Sequence, residues 1–120
     1  MGYVRDFVSA TPYAAVIKYT GLKVVPLDER EEKHILQARV LKTLRGRPRK
    51  RISYYLIAER GEPTKLSDKP VIITLCADGD TFYWPGVGAE LPWNPRTEAV
   101  AMEASRAAPA DQQVFGDCGP

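Results

Sequence analysis

A mainly β domain carrying a helix near its C-terminus is the fold class this sequence predicts, and three observations predict it. Three segments, residues 11–25, 51–59 and 71–84, concentrate β-branched and aromatic side chains between connections rich in Gly, Pro and Asp. A run of helix formers, "RTEAVAMEASRAA", follows Asn94-Pro95 and stops at Pro109. The chain has 120 residues, enough for one domain to bury its own core without obligatory metal or disulfide support.

Taken in order, residues 1–10 read as an N-terminal tail, 11–109 as a single domain that includes the helix, and 110–120 as a C-terminal tail that is either mobile or stapled. "TPYAAVIKYTGLKVV", Thr11 to Val25, is one long strand with a bend or bulge at Gly21. "PLDEREEKHILQARVLKTLRG" admits two readings. Acids at its front, bases at its back and Gly46 beyond its end obey the rules for a helix over Glu29 to Leu44. Period-two alternation from His34 to Leu44 argues for a strand, with Leu36, Ala38 and Val40 on one face and Gln37, Arg39 and Thr43 on the other. Pattern alone leaves both open.

Beyond that segment, "RISYYLIAE" is a strand and "RGEPTKLSDKP" a polar loop. "VIITLCADGDTFYWPG" is a hairpin turning at Asp78-Gly79 and ended by Pro85 and Gly86. Asn94 caps the helix, and Pro95 occupies its first position, where a missing N–H costs nothing.

The formal charge of +2 is small, so no strong global field draws the chain to nucleic acid or acidic lipid, and anion binding would have to be local. No run of about 18 apolar residues exists to form a transmembrane helix. The start "MGYVRDFVSATPY" lacks the apolar core of a signal peptide, although a mature domain freed of its leader would read the same. Two cysteines, Cys76 in a strand and Cys118 near the end, are either a disulfide in an oxidising compartment or two free thiols in a cytosolic protein.

The order of a bent strand, "ARVLKTLRGRPRKRISYYL", a polar loop and "KPVIITLCADGDTFYWPGVGAELPW" resembles the netrin-like modules, the group that includes tissue inhibitors of metalloproteases. Val40, Leu41, Leu44 and Gly46, then Leu75, Tyr83 and Gly86, are the matching positions, and the resemblance covers roughly Ala14 to Trp93. It implies a five-stranded Greek-key barrel of oligonucleotide/oligosaccharide-binding (OB) type with a C-terminal α-helix. It also resolves the ambiguous segment as strand. The inhibitors of that group bind their target's zinc through an N-terminal cysteine, and this chain has none before Cys76. Their several N-terminal disulfides are missing too, so the chain looks like the small bacterial secreted or lipoprotein versions.

Candidate binding residues fall in two groups. "KTLRGRPRKR" carries six cations in ten positions, among them Arg45, Arg47, Arg49, Lys50 and Arg51, either as solvated charges on a turn or as contacts to an anion. The aromatics Tyr54, Tyr55, Phe82, Tyr83 and Trp84 could supply stacking platforms, each base stacked on an aromatic contributing roughly 1–3 kcal/mol, and Trp84 and Trp93 with Pro85 and Pro92 could form an apolar groove or a protein contact. Adjacent strand residues face opposite ways, so about half of the aromatics must enter the core. Trp84 and Trp93 can equally close one end of the domain. His34, the sole histidine, lies among Glu31, Glu32 and Lys33 and reads as solvated.

No metal-ligand spacing, nucleophile motif or phosphate loop appears, and Asp78 and Asp80 simply flank a turn. The sequence is therefore read as a non-catalytic, cofactor-free, extracytoplasmic binding module, periplasmic or envelope-anchored after leader removal, whose partner is a protein or cell-envelope component. The alternative is a cytoplasmic single-stranded nucleic-acid binder of the same barrel type using the basic loop 45–51.

Overall fold

A computed structural model describes residues 2–86 and 89–118. Its elements are α1 (Gly2–Ser9), β1 (Tyr13–Pro26), β2 (Glu31–Arg45), β3 (Arg51–Glu59), β4 (Val71–Asp78), β5 (Thr81–Tyr83), β6 (Glu90–Pro92) and α2 (Pro95–Ala107). The protein is mainly β, a six-stranded mixed sheet ordered β1-β2-β3-β5-β4-β6. Because β1 pairs with β4 as well as with β2, the sheet bends into a partly ring-like arrangement. Every pairing is antiparallel except β3 with β5. One strand more is present than the five expected, since Glu90–Pro92 adds to the edge of β4.

The segment that pattern left ambiguous is a strand, with Glu31 to Arg39 paired against Glu59 to Arg51 of β3. Local helix signals lose there because Leu36 and Ala38 bury themselves beside Ile17, Ile52 and Tyr54 on the inner face of the ring. The expected bend in β1 is a register shift between Tyr19 and Gly21. At the β4–β5 turn Gly79 has φ +62°, a conformation L side chains rarely adopt. Gly46 is fixed more tightly: its φ is +92°, and a Cβ there would lie 3.0 Å from the Pro12 carbonyl oxygen.

Two cores share the sheet. The inner one joins Ile17, Leu36, Ile52, Tyr54, Ile73 and Leu75. The second lies between the outer face of β1 and β4 and the two helices, and contains Val4, Val8, Val16, Leu44, Ile72 and Ala101. Covered on both sides, the first five residues of β1 and the first six of β4 are buried one after another, which accounts for their apolar runs.

The N-terminal ten residues, expected as a tail, mostly form α1 instead. Val4 and Val8, one helical turn apart, are 0% and 1% exposed against α2 and the sheet. Tyr3, Val4, Phe7 and Val8 recur at helical spacing, but a helix of eight residues is too short to persist by itself and forms only on the surface that buries Val4 and Val8. Helix α2 begins as expected: the Asn94 side chain accepts the Thr97 N–H at 2.9 Å, and Thr97 Oγ1 accepts the Asn94 N–H in return.

The C-terminal segment is stapled. Cys76 and Cys118 lie at disulfide distance with their Cα atoms 5.6 Å apart. Arg45 supports the same segment, its guanidinium donating to the Val8 carbonyl and to Gln112 Oε1 at 2.6 Å each. Among the described residues no helix is long and apolar enough to cross a membrane.

Candidate functional site

The expected basic-loop site does not assemble as one patch. Arg45 is turned inward, bound to Val8 and Gln112 and stacked over the Phe115 ring at 5.3 Å, so it holds termini together rather than facing solvent. Arg49 lies over the Phe82 ring at 4.9 Å. Arg47 and Lys50 are exposed, and the Lys50 carbonyl accepts the Val40 N–H, continuing the β2–β3 hairpin. Arg51 belongs to β3, opposite Arg39 of β2.

The expected division of the aromatics between two faces holds. Phe82 stacks on Tyr13 at 4.8 Å, and with Tyr54 and Trp84 it packs into the inner core. Tyr55 and Tyr83 lie on the outer face, ring centroids 6.1 Å apart. Lys33 covers the Tyr55 ring, its ammonium 4.3 Å from the centroid. Trp93 is 39% exposed, and its indole N–H donates to Glu98 Oε1 of α2 at 3.0 Å.

What the ring adds is a row of like charges. Lys18 pairs with Arg39 across β1 and β2, and Arg39 pairs with Arg51 across β2 and β3. All three are exposed, and among the described residues none has an acidic side chain within ion-pair distance. Like charges directly opposite each other oppose strand pairing. Lys23 and Lys33 share this face, on which Ile35 lies opposite both Lys23 and Tyr55. Lys18 and Arg39 were not singled out in the sequence. Alternation does put Arg39 on an outer face, but only the register sets Lys18 beside it.

A concave feature lies at one mouth of the ring. Its cavity of about 170 Å³ is lined by Tyr19, Leu36, Tyr54, Leu56, Thr64, Lys65, Trp84 and Glu90. Tyr19 donates its hydroxyl proton to Glu90 Oε1, and the Tyr54 hydroxyl lies 2.6 Å from that of Tyr19. Burial pushes both phenols well above the usual tyrosine range, most of all Tyr19, so both stay neutral.

Beside this mouth His34 is buried at 1% exposure, correcting the expectation of a solvated side chain. Its Nδ1 is hydrogen-bonded to Thr64 Oγ1, and its Nε2 lies 3.2 Å from Glu32 Oε2 without hydrogen-bond alignment. The other Glu32 oxygen accepts the Gly61 N–H. These contacts pin the polar loop 60–70 against β2. Local composition suggested solvent here, whereas alternation with Leu36 was the signal that His34 points inward.

Near α2, Glu98 has its carboxyl held below its ordinary 4.5 by the Trp93 indole N–H and by Lys42, whose Nζ is 3.3 Å from Oε2. A depressed folded value means that this contribution to stability is complete above pH 4.5 and is lost as pH falls through the lowered value. Trp93 fluorescence is therefore expected to change below pH 4.5, and Glu98→Gln to abolish that transition while leaving fluorescence at pH 7 close to that of the parent.

Comparison with protein-family models, with curated proteins and with solved structures gave no match to this chain.

Proposed function

We propose that this protein is a non-catalytic binding module that engages an acidic protein or envelope component through the outer face of β1, β2 and β3. The row Lys18-Arg39-Arg51 carries this reading. Three cations side by side on a sheet disfavour folding unless something offsets them, and a bound anion does so while releasing its counterions. The exposed loop residues Arg47 and Lys50 extend the same charge beyond β2. An oxidising, extracytoplasmic setting is supported by the Cys76–Cys118 pair at disulfide distance. The cyclic order β1-β2-β3-β5-β4 with a parallel β3–β5 contact supports an OB-type Greek-key barrel as the scaffold.

Single-stranded nucleic acid is the second reading, favoured by Tyr55 and Tyr83 beside the cations. It ranks second because Lys33 already occupies the Tyr55 ring, so a base would have to displace it.

A salt series tests both, with a polyglutamate peptide, phosphatidylglycerol vesicles and an oligo-dT strand as probes. Binding to peptide or vesicles is expected to weaken steeply with salt and to fall at least tenfold in Arg39→Glu/Arg51→Glu. Preference for oligo-dT, lost in Tyr55→Ala, would move the assignment to nucleic acid. Absence of salt-dependent binding to all three, or indifference to the charge reversal, would reject this face as the contact surface.

A further inference from the structure

We infer that the cavity at the ring mouth is a binding site for a small organic ammonium ion, held between the rings of Tyr19, Tyr54 and Trp84 and the carboxylate of Glu90. This site is separate from the cationic outer face and stands independently of it. Ligand pockets recur at the mouths of β-barrels, where apolar walls give affinity and a few polar groups select the ligand.

The hydrogen-bond chain fixes where the charge lies. Tyr19 spends its proton on Glu90, so Tyr54 must donate to Tyr19 in the 2.6 Å contact between the two hydroxyls. Both phenols are neutral at ordinary pH, which leaves Glu90 as the negative charge of the chain. Among the described residues no Lys, Arg or His lies within ion-pair distance of that carboxylate. Aromatic faces present negative potential, and a carboxylate beside them adds to it. Such a wall favours a cation that is weakly hydrated and partly apolar over an anion or a neutral solute. The volume of about 170 Å³ suits a head group of a few heavy atoms, such as an alkylated ammonium, rather than a polymer.

Lys65 shapes the prediction further. It lines the same cavity, its side chain is exposed, and its charge has the same sign as the ligand's. It therefore opposes entry of a simple ammonium, and its removal should strengthen binding.

The test titrates choline and tetramethylammonium into the intact protein, reading Trp84 fluorescence and the NMR shifts of the Trp indoles. The neutral isostere 3,3-dimethylbutan-1-ol serves as the comparison. Saturable binding of both cations is expected, at least tenfold weaker for the isostere, and at least tenfold weaker for choline in Glu90→Gln. That variant retains an oxygen to accept the Tyr19 proton, and an unchanged melting temperature shows that its fold is intact. Lys65→Ala is expected to bind choline more tightly. Retention of the protein on phosphatidylcholine vesicles would place the ammonium on a lipid headgroup, and binding of choline without retention would place it on a free solute; either result supports the site. Equal affinity for choline and its neutral isostere, an unchanged affinity in Glu90→Gln, or no saturable binding of either cation would overturn it.

Discussion

Replacing Ile73 by Ala is expected to destabilise the domain by about 2–5 kcal/mol, measured as a lower denaturant midpoint at unchanged slope. Ile73 is 0% exposed on the inner face of β4, a strand buried on both sides. Its partners are Ala15 on β1 and Glu90 on β6, so the cavity would open where the ring closes. Few neighbours can move to fill it, since β1 and β4 are themselves fixed between the two cores. Ile57→Ala is the matching control. At 46% exposure it should change stability by no more than about 0.5 kcal/mol. Equal effects from the two substitutions would mean that the closure between β1 and β4 is not where the stability resides.

Loss of the Cys76–Cys118 link is the second large effect. Closing a loop of 42 residues restricts the unfolded chain, and its loss in Cys118→Ser is expected to cost about 2–4 kcal/mol in oxidised protein. Cys76 is 0% exposed, so the variant that leaves Cys76 in place avoids disturbing the buried β4 strand. Adding reductant to the parent should reproduce the loss, and adding it to Cys118→Ser should change nothing further. Alkylation of both thiols in the folded, unreduced parent would contradict the link outright. The C-terminal segment has other ties, from the Asp117 N–H to the Ala10 carbonyl and from Gln112 Nε2 to the Ser9 carbonyl. Local unfolding of residues 110–118 in the variant is therefore expected to expose α1, readable as faster amide exchange at Val8, whose N–H lies beyond the unpaired first turn of the helix.

Tyr54 and Tyr55 show how much of the binding surface could be read in advance. Strand alternation alone sends one inward and the other outward, and the same rule separates Phe82 and Trp84 from Tyr83. The cations are a different matter. Lys18, Arg39 and Arg51 are 33 positions apart end to end in the sequence, and they become neighbours only when three strands take one register. Glu90 and Tyr19, 71 positions apart, meet for the same reason. A local pattern carries the face of a side chain but not the partner across the gap.

The amino-acid sequence by itself determined the strands of β1, β3 and the β4–β5 hairpin, together with the capped start of α2, because alternation, turn glycines and an Asn-Pro cap act within a few residues. Only the tertiary structure decided that residues 31–45 form a strand rather than a helix, and that the expected facing of Thr43 is reversed. Register shifts against β1 between Val16 and Ile17 and between Ala14 and Ala15 mark bulges in β2. Past the first of them, Lys42 lies opposite Val16 and reaches Glu98 on the helical side, while Thr43 lies opposite Ala15 of the inner core. Each extra residue shifts the strand by one position, which exchanges its two faces. The advantage of doing so, burying Leu44 beneath Val4, Val8 and α2, exists only once those helices are in place.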